Sequence, residues 1–318
     1  MGFAEYLSSL DPQALLQRLP GYAAQGVLWG VMALGVYITF RLLDLADLTV
    51  DGTFATGGAC TVMLILAGWP AWAALTAAVA AGLLAGLVTG LLHTRLGIPA
   101  ILAGILTQFA LYSVNLRIMG MTANKSVSVD QYPLLLSSRQ IPRAALIGVL
   151  LAAALTALLC WYFGTEQGSA LRATGSNPAM SRAQGVNIDA MKVLGLMLSN
   201  GAVALSGGLT AQYQGFADVN MGRGAIVIGL AAVVIGEVLC AALFRRGAPF
   251  AVRLLFVAAG GVAYYLVVGL VLWLRLNTND LKLFTAVIVA LFLAVPQLQA
   301  RRKSSFRAAD RKEAQPRA

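Results

Sequence analysis

EQGSALRATGSNPAMSRAQGVNID, residues 166–189, is a polar and basic island in a chain that is otherwise almost continuously apolar. Its punctuation reads as structure. Asn177 has the side chain of a helix N-cap, and Pro178 suits the first helical position, where its missing N–H is not needed. Gly185 suits the residue just past a helix end, where the backbone turns left-handed. The spacing predicts a short capped helix over 178–184. Such a helix between two apolar runs is a built surface rather than a slack turn, and it suits a soluble partner that presses on it.

The surroundings of the island set the fold class. Of 318 residues, 59% are hydrophobic and only 11% charged, with a mean hydropathy of +0.77. A soluble domain this apolar could not cover its surface with polar groups. Nine apolar segments are read near 22–43, 53–68, 70–92, 98–117, 143–163, 190–213, 222–241, 249–275 and 280–298. Most reach the roughly 20 residues that a helix needs to cross a bilayer core. The second is short, and the seventh is interrupted early by Gly222, Gly224 and Gly229. The expectation is an all-α, polytopic transmembrane bundle of about nine spans (8–10), with a short cytoplasmic helix at the island. Gly82, Gly86 and Gly90, four residues apart on the third span, mark a face for close helix contact.

Three regions follow: an interfacial N-terminal segment (1–20), a transmembrane domain (21–299) and a basic tail (300–318). The first carries Glu5, Asp11 and Arg18 and lacks a signal-peptide cleavage pattern. The net charge of +10 does not point to nucleic acid, because half of the excess lies in residues 301–318, with seven Lys/Arg against Asp310 and Glu313. That is the bias of a cytoplasmic tail. Counting back from it puts the island, with Arg172, Arg182 and Lys192, on the cytoplasmic side, together with His93, Arg95, Arg245, Arg246 and Arg253. The N-terminus is then outside, as is the positively charged connection over 117–143. The setting is a cell membrane, with the lipid bilayer as the first partner. Cys60, Cys160 and Cys240 fall in apolar runs and read as small hydrophobes.

Candidate chemistry is sparse. LLDLADLTVDGTFATGG, residues 42–58, carries Asp44, Asp47 and Asp51 among glycines. Two readings stay open: a helix broken inside the bilayer beside a cavity, or a cytoplasmic loop with solvated acids. Gln108 and Asn115, seven residues apart, share a helix face. Asn200 and Gln212 flank Ser206-Gly207-Gly208. As a group these seven polar residues are candidates for a translocation path; singly, interhelical hydrogen bonding serves each. Glu237 is expected to pair with Arg245 or Arg246. His93 is the only histidine, at a helix end, an interfacial anchor. No metal-spaced cluster, no nucleophile motif and no phosphate-binding GxxxxGK[ST] loop occurs, so no catalytic residue, metal or cofactor is assigned.

LRATGSNPAMSRAQGVN (171–187) resembles the cytoplasmic coupling segment of ABC-importer permeases of the branched-chain amino acid and ribose type, with Arg172, Ala173, Gly175, Asn177 and Gly185 at the matching positions. DLADLTVDGTFATGGA (44–59) resembles an early region of the same family, and LGIPAILAGILTQFALYSVNLRIMGMTAN (96–124) is similar to its tryptophan/tyrosine import branch. The resemblance covers roughly residues 22–298. It implies a permease subunit that is not itself an enzyme, joined to a second permease copy (a homodimer or close pair), an ATP-binding-cassette ATPase and an extracytoplasmic solute-binding protein. Arg172, Gly175, Ser176, Asn177, Pro178, Arg182 and Gly185 would then form the ATPase-coupling surface, and the cargo would be a small solute such as an aromatic amino acid. The competing reading is a self-sufficient secondary transporter or channel, which would often show internal repeats; none is evident in the sequence.

Overall fold

The computed structural model describes residues 12–244 and 247–273, together with positions 283, 287, 290 and 294. In chain order, α1 (Pro12–Tyr37) runs into a π-helical turn (Ile38–Leu42). Then come α2 (Thr49–Leu66), α3 (Ala71–Thr94), α4 (Ala100–Ile118), β1 (Asn124–Ser126), α5 (Ile141–Gly164), α6 (Glu166–Ser176), α7 (Pro178–Ala183), α8 (Ile188–Gln214), β2 (Phe216–Asp218), α9 (Ala225–Leu243) and α10 (Phe250–Trp273). Among the described residues eight helices are long and apolar enough to cross a membrane. They correspond to the first eight apolar segments; the ninth, 280–298, lies outside the described residues, as does the basic tail. Residues 12–20 of the N-terminal segment form the first turns of α1, with Pro20 inside the helix.

Lipid offers helices no hydrophobic reason to associate, so close packing and hydrogen bonds must hold them. Here the glycines supply the packing. A Cβ at Gly82 would run into the carbonyl of Asn200, one at Gly86 into that of Leu196, and one at Gly90 into the Val193 backbone. The stripe read from the third span thus seats α3 on α8. A second seam joins α1 to α10, where a Cβ at Gly26 would stand 2.6 Å from the Val262 Cα. Gly57 and Gly207 bring α2 onto α8 in the same way. Hydroxyls add the polar contacts: Ser199 donates to the Gly35 carbonyl at 2.8 Å and Ser206 to the Leu28 carbonyl at 2.7 Å. The inner helices α1, α2 and α8 are mostly buried, whereas α4 and α5 are mostly exposed.

The two ends of the bundle differ. One carries α6 and α7. The other carries an antiparallel ribbon in which Lys125 of β1 faces Ala217 of β2. The sequence alone offers 117–143 as a plain connection. Instead it is folded down: Val127 donates its N–H to the Gly215 carbonyl at 2.8 Å, Ser138 to the Tyr213 carbonyl at 3.1 Å, and Leu136 is fully buried.

Candidate functional site

The aspartate-rich stretch 42–58 is a break inside the bundle. After the π-helical turn the chain unwinds over 43–48, with Asp44 in a left-handed conformation (φ 54°), and turns back into α2. The turning point is deep. Asp47 is 2% exposed and accepts from Asn200 Nδ2 at 2.7 Å and from the Thr49 N–H at 2.9 Å. Asn200 stands midway along α8 and in turn accepts from the Thr53 hydroxyl at 2.8 Å. Next to it the Thr49 and Thr89 hydroxyls lie 2.8 Å apart, and Thr89 donates to Thr107 at 3.0 Å. This chain of bonds ties α2, α3, α4 and α8 together at mid-height. The loop reading of the segment is corrected: a solvated loop would not leave a carboxylate sealed among helices.

The three aspartates do not act as one group. Asp44 is exposed. Asp47 belongs to the buried network. Asp51, one turn further on, accepts from the N–H groups of Gly224 and Ile226, both at 2.9 Å. It therefore caps the start of α9, whose unpaired N–H groups and positive dipole end suit a carboxylate. The approach is close, since a Cβ at Gly222 would meet the Asp51 carbonyl. Gly222 thus lets α9 begin beside α2, and Gly229 brings it against Val36 of α1.

Beside Asp51 opens a cavity of about 310 Å³. Gln108, Tyr112 and Asn115 line it from α4, and Asn220 and Arg223 from the turn that leads into α9. Asn115 is 1% exposed; its Nδ2 donates to the Gly52 carbonyl at 3.4 Å, and its Oδ1 has no hydrogen-bond partner among the described residues. Of the seven path candidates the cavity gathers Asp51, Gln108 and Asn115. Gln212 stands apart: its Oε1 accepts from the Leu135 N–H at 3.1 Å and pins the folded connection. Asn220 and Arg223 were missed by the sequence reading, and the only signal for them was their place among the glycines at 222, 224 and 229.

At the far end, α7 has the expected cap: Asn177 Oδ1 accepts from the Met180 N–H at 3.0 Å, Pro178 takes the first position, and Gly185 follows the end with φ 84°. The helix closes at Ala183, one residue short of the expected end. The preceding α6 was not foreseen. It is capped by Thr165, whose hydroxyl accepts from the Gly168 N–H at 3.3 Å. Gly175 presses α6 onto the α1 break, since a Cβ there would strike the Leu42 carbonyl. Arg172 turns inward, its guanidinium 5.6 Å from the centre of the Phe250 ring. Ser176, Asn177, Pro178, Met180, Arg182 and Gly185 are exposed. Glu237 pairs with Arg41, at 2.8 Å; Arg245 and Arg246, the partners expected for it, lie outside the described residues. His93 Nδ1 stands 2.8 Å from the Ile98 carbonyl and its Nε2 3.4 Å from Lys192 Nζ, a helix-end anchor.

A family model for the permease component of branched-chain amino acid transport systems matches residues 19–296. The chain belongs to this permease family. It is 35% identical over 274 residues to the tyrosine transport system permease protein of Clostridioides difficile (strain R20291), covering 86% of this chain and 90% of that protein. It is also 31% identical over 264 residues to an uncharacterized protein of Rickettsia prowazekii (strain Madrid E), covering 83% and 92%. The permease is accordingly a multi-pass membrane protein and the membrane component of an amino acid transport system.

In the permease, Asp51 joins the cavity to the bundle, so its removal has a defined cost. Asp51→Ala leaves two backbone N–H groups without an acceptor, at about 1–3 kcal/mol each. We expect a lower melting temperature of the purified protein, with uptake reduced in step with the loss of folded permease. Asp51→Asn, with one acceptor oxygen left, should fall between. Unchanged melting and uptake in the alanine variant would remove the capping role.

Proposed function

We propose that this chain is the membrane-spanning subunit of an ATP-binding-cassette importer and forms, with a second copy of itself, the path for a small solute, an amino acid with tyrosine or tryptophan as the leading cargo. The observation that carries the reading is the polar cavity beside the exposed side of α4. A face between membrane-spanning helices that presents Gln108, Asp51 and Arg223 is poorly matched to acyl chains. A second permease copy would enclose it as a wet passage between the two. Around it, the outward side of α4 carries Phe109 (71% exposed) and Leu106 (46% exposed), apolar surface suited to such a contact.

Power comes from outside the chain. The short capped helix α7 would sit in a groove of a separate ATPase, and α6, seated against the α1 break at Gly175, would carry its movement to the segment that bears Asp47 and Asp51. The permease itself supplies no hydrolytic chemistry in this reading. The α7 end faces the cytoplasm, and the ribbon end, with the N-terminus, faces the extracytoplasmic receptor. The tyrosine cargo is supported by the name of the Clostridioides difficile relative.

The test is reconstitution in proteoliposomes with a cognate ATPase and receptor. Uptake of labelled L-tyrosine should need ATP and both partners, and the permease alone should give none. Uptake by the permease alone, driven by an ion gradient or by diffusion, would replace this reading with a secondary transporter or a channel.

A further inference from the structure

In importers of this plan the receptor is the natural seat of selectivity, and the path need only be wide enough. The cavity of this chain is more specific than that. We propose that it is a binding site in its own right, a way station that holds an amino acid by its zwitterionic head group before release. The inference rests on the amino acid import proposed above.

The inventory of the walls carries it. Arg223 is exposed at the mouth, and its guanidinium makes no hydrogen bond to another described residue. A guanidinium offers five donors in a fork that fits a carboxylate in two parallel bonds. Deeper in, Asn115 Oδ1 is a buried acceptor without a donor. The Gly52 carbonyl takes the Nδ2 side of that amide, which fixes the oxygen as the free atom. Asn220 Oδ1 is a second buried acceptor without a donor. Leaving such atoms unsatisfied costs about 1–3 kcal/mol each, and a ligand ammonium, with three N–H donors, satisfies both. The Asp51 carboxylate on the same wall supplies the opposite charge. Tyr112 and Phe109 of α4 also line the cavity and offer ring faces to a side chain. The volume, about 310 Å³, is at the small end of the roughly 300–1,000 Å³ range of small-molecule sites, the size of one compact solute. A guanidinium, two orphaned acceptors and two rings on the walls of one cavity match an α-amino acid better than a sugar, which carries no charge to pair with Arg223.

The experiment uses the permease with its ATPase in lipid nanodiscs, without receptor. Saturation-transfer NMR measures binding of L-tyrosine, tyramine (no carboxylate) and 3-(4-hydroxyphenyl)propionate (no ammonium). L-tyrosine should bind saturably and at least tenfold more tightly than either analogue. Arg223→Gln should abolish the preference for L-tyrosine over tyramine, with Arg223→Lys restoring part of it. Asn115→Leu should abolish the preference over the propionate. Receptor-driven uptake is measured in parallel. Uptake of L-tyrosine without saturable binding in the nanodiscs, or binding indifferent to Arg223→Gln and Asn115→Leu, would overturn the way station and leave the importer standing. Loss of ATP-dependent uptake in the native assembly would instead bring down the importer reading and this inference with it.

Discussion

Gly86→Leu should yield no stable, monodisperse permease, whereas Leu84→Ala on the same helix should behave as the native protein. Gly86 stands where α3 meets α8, and even one added carbon would enter the space of the Leu196 carbonyl and the Met197 Cα. Those atoms are helix backbone and cannot swing aside as a side chain can. Overpacking commonly costs about 1–3 kcal/mol where side chains can adjust; here α3 itself must move. Its displacement would also pull Thr89 away from Thr49 and Thr107, opening hydroxyl contacts of 2.8 and 3.0 Å inside the bundle. Leu84 is 61% exposed, so its truncation leaves the seam alone. Size-exclusion profiles and melting curves in detergent decide the matter: a Gly86→Leu protein that elutes and melts like Leu84→Ala would show that the α3–α8 seam does not hold the fold.

That stripe was readable in the sequence because it depends on local periodicity alone: glycines four apart lie on one helix face whatever they touch. The same holds for the α7 cap, where Asn177, Pro178 and Gly185 are near neighbours, and for Gln108 and Asn115, which reach one cavity from one helix. What stayed hidden depends on distant partners. Asp47 meets Asn200 and Asp51 meets Gly224 only after the bundle has closed, so composition could not tell a solvated acid from a sealed one. Arg41, in the π-helical turn 196 positions away in sequence, reaches Glu237. The helix α6 escaped notice for another reason. Gly168 and Gly175 weaken helix propensity, but both stand at tight backbone contacts, with the Tyr162 carbonyl and with Leu42, so packing outweighs propensity. Arg223 becomes a wall of the cavity only when the turn that carries it packs beside α4 and Asp51.

The double variant Met180→Glu with Arg182→Glu should separate ATP hydrolysis from transport without disturbing the fold. Within α7 the inward contacts belong to other residues: Ser181 is buried, donates to the Asn177 carbonyl at 3.0 Å and, with the Asn177 cap, holds the helix in place. Met180 is 58% exposed and Arg182 is exposed, so two surface exchanges should leave stability within roughly 0.5 kcal/mol of the native value each. What changes is the outward face. An apolar knob and a cation become two carboxylates, and any acidic or apolar lining in the partner's groove then meets repulsion or an unpaired charge. Loss of one strong contact at an interface centre is worth about 2 kcal/mol or more, so co-purification with the ATPase should weaken by at least roughly tenfold. Uptake should fall at least as far, while the ATPase keeps its basal turnover. Gly175→Val gives the companion result from inside. Its added carbons would collide with the Leu42 carbonyl and loosen α6 from the α1 break, so a protein that still binds the ATPase should transport poorly. The surface variant thus breaks the grip and the wedge variant breaks the linkage behind it. Full uptake in both would mean that force does not enter the bundle through this knuckle.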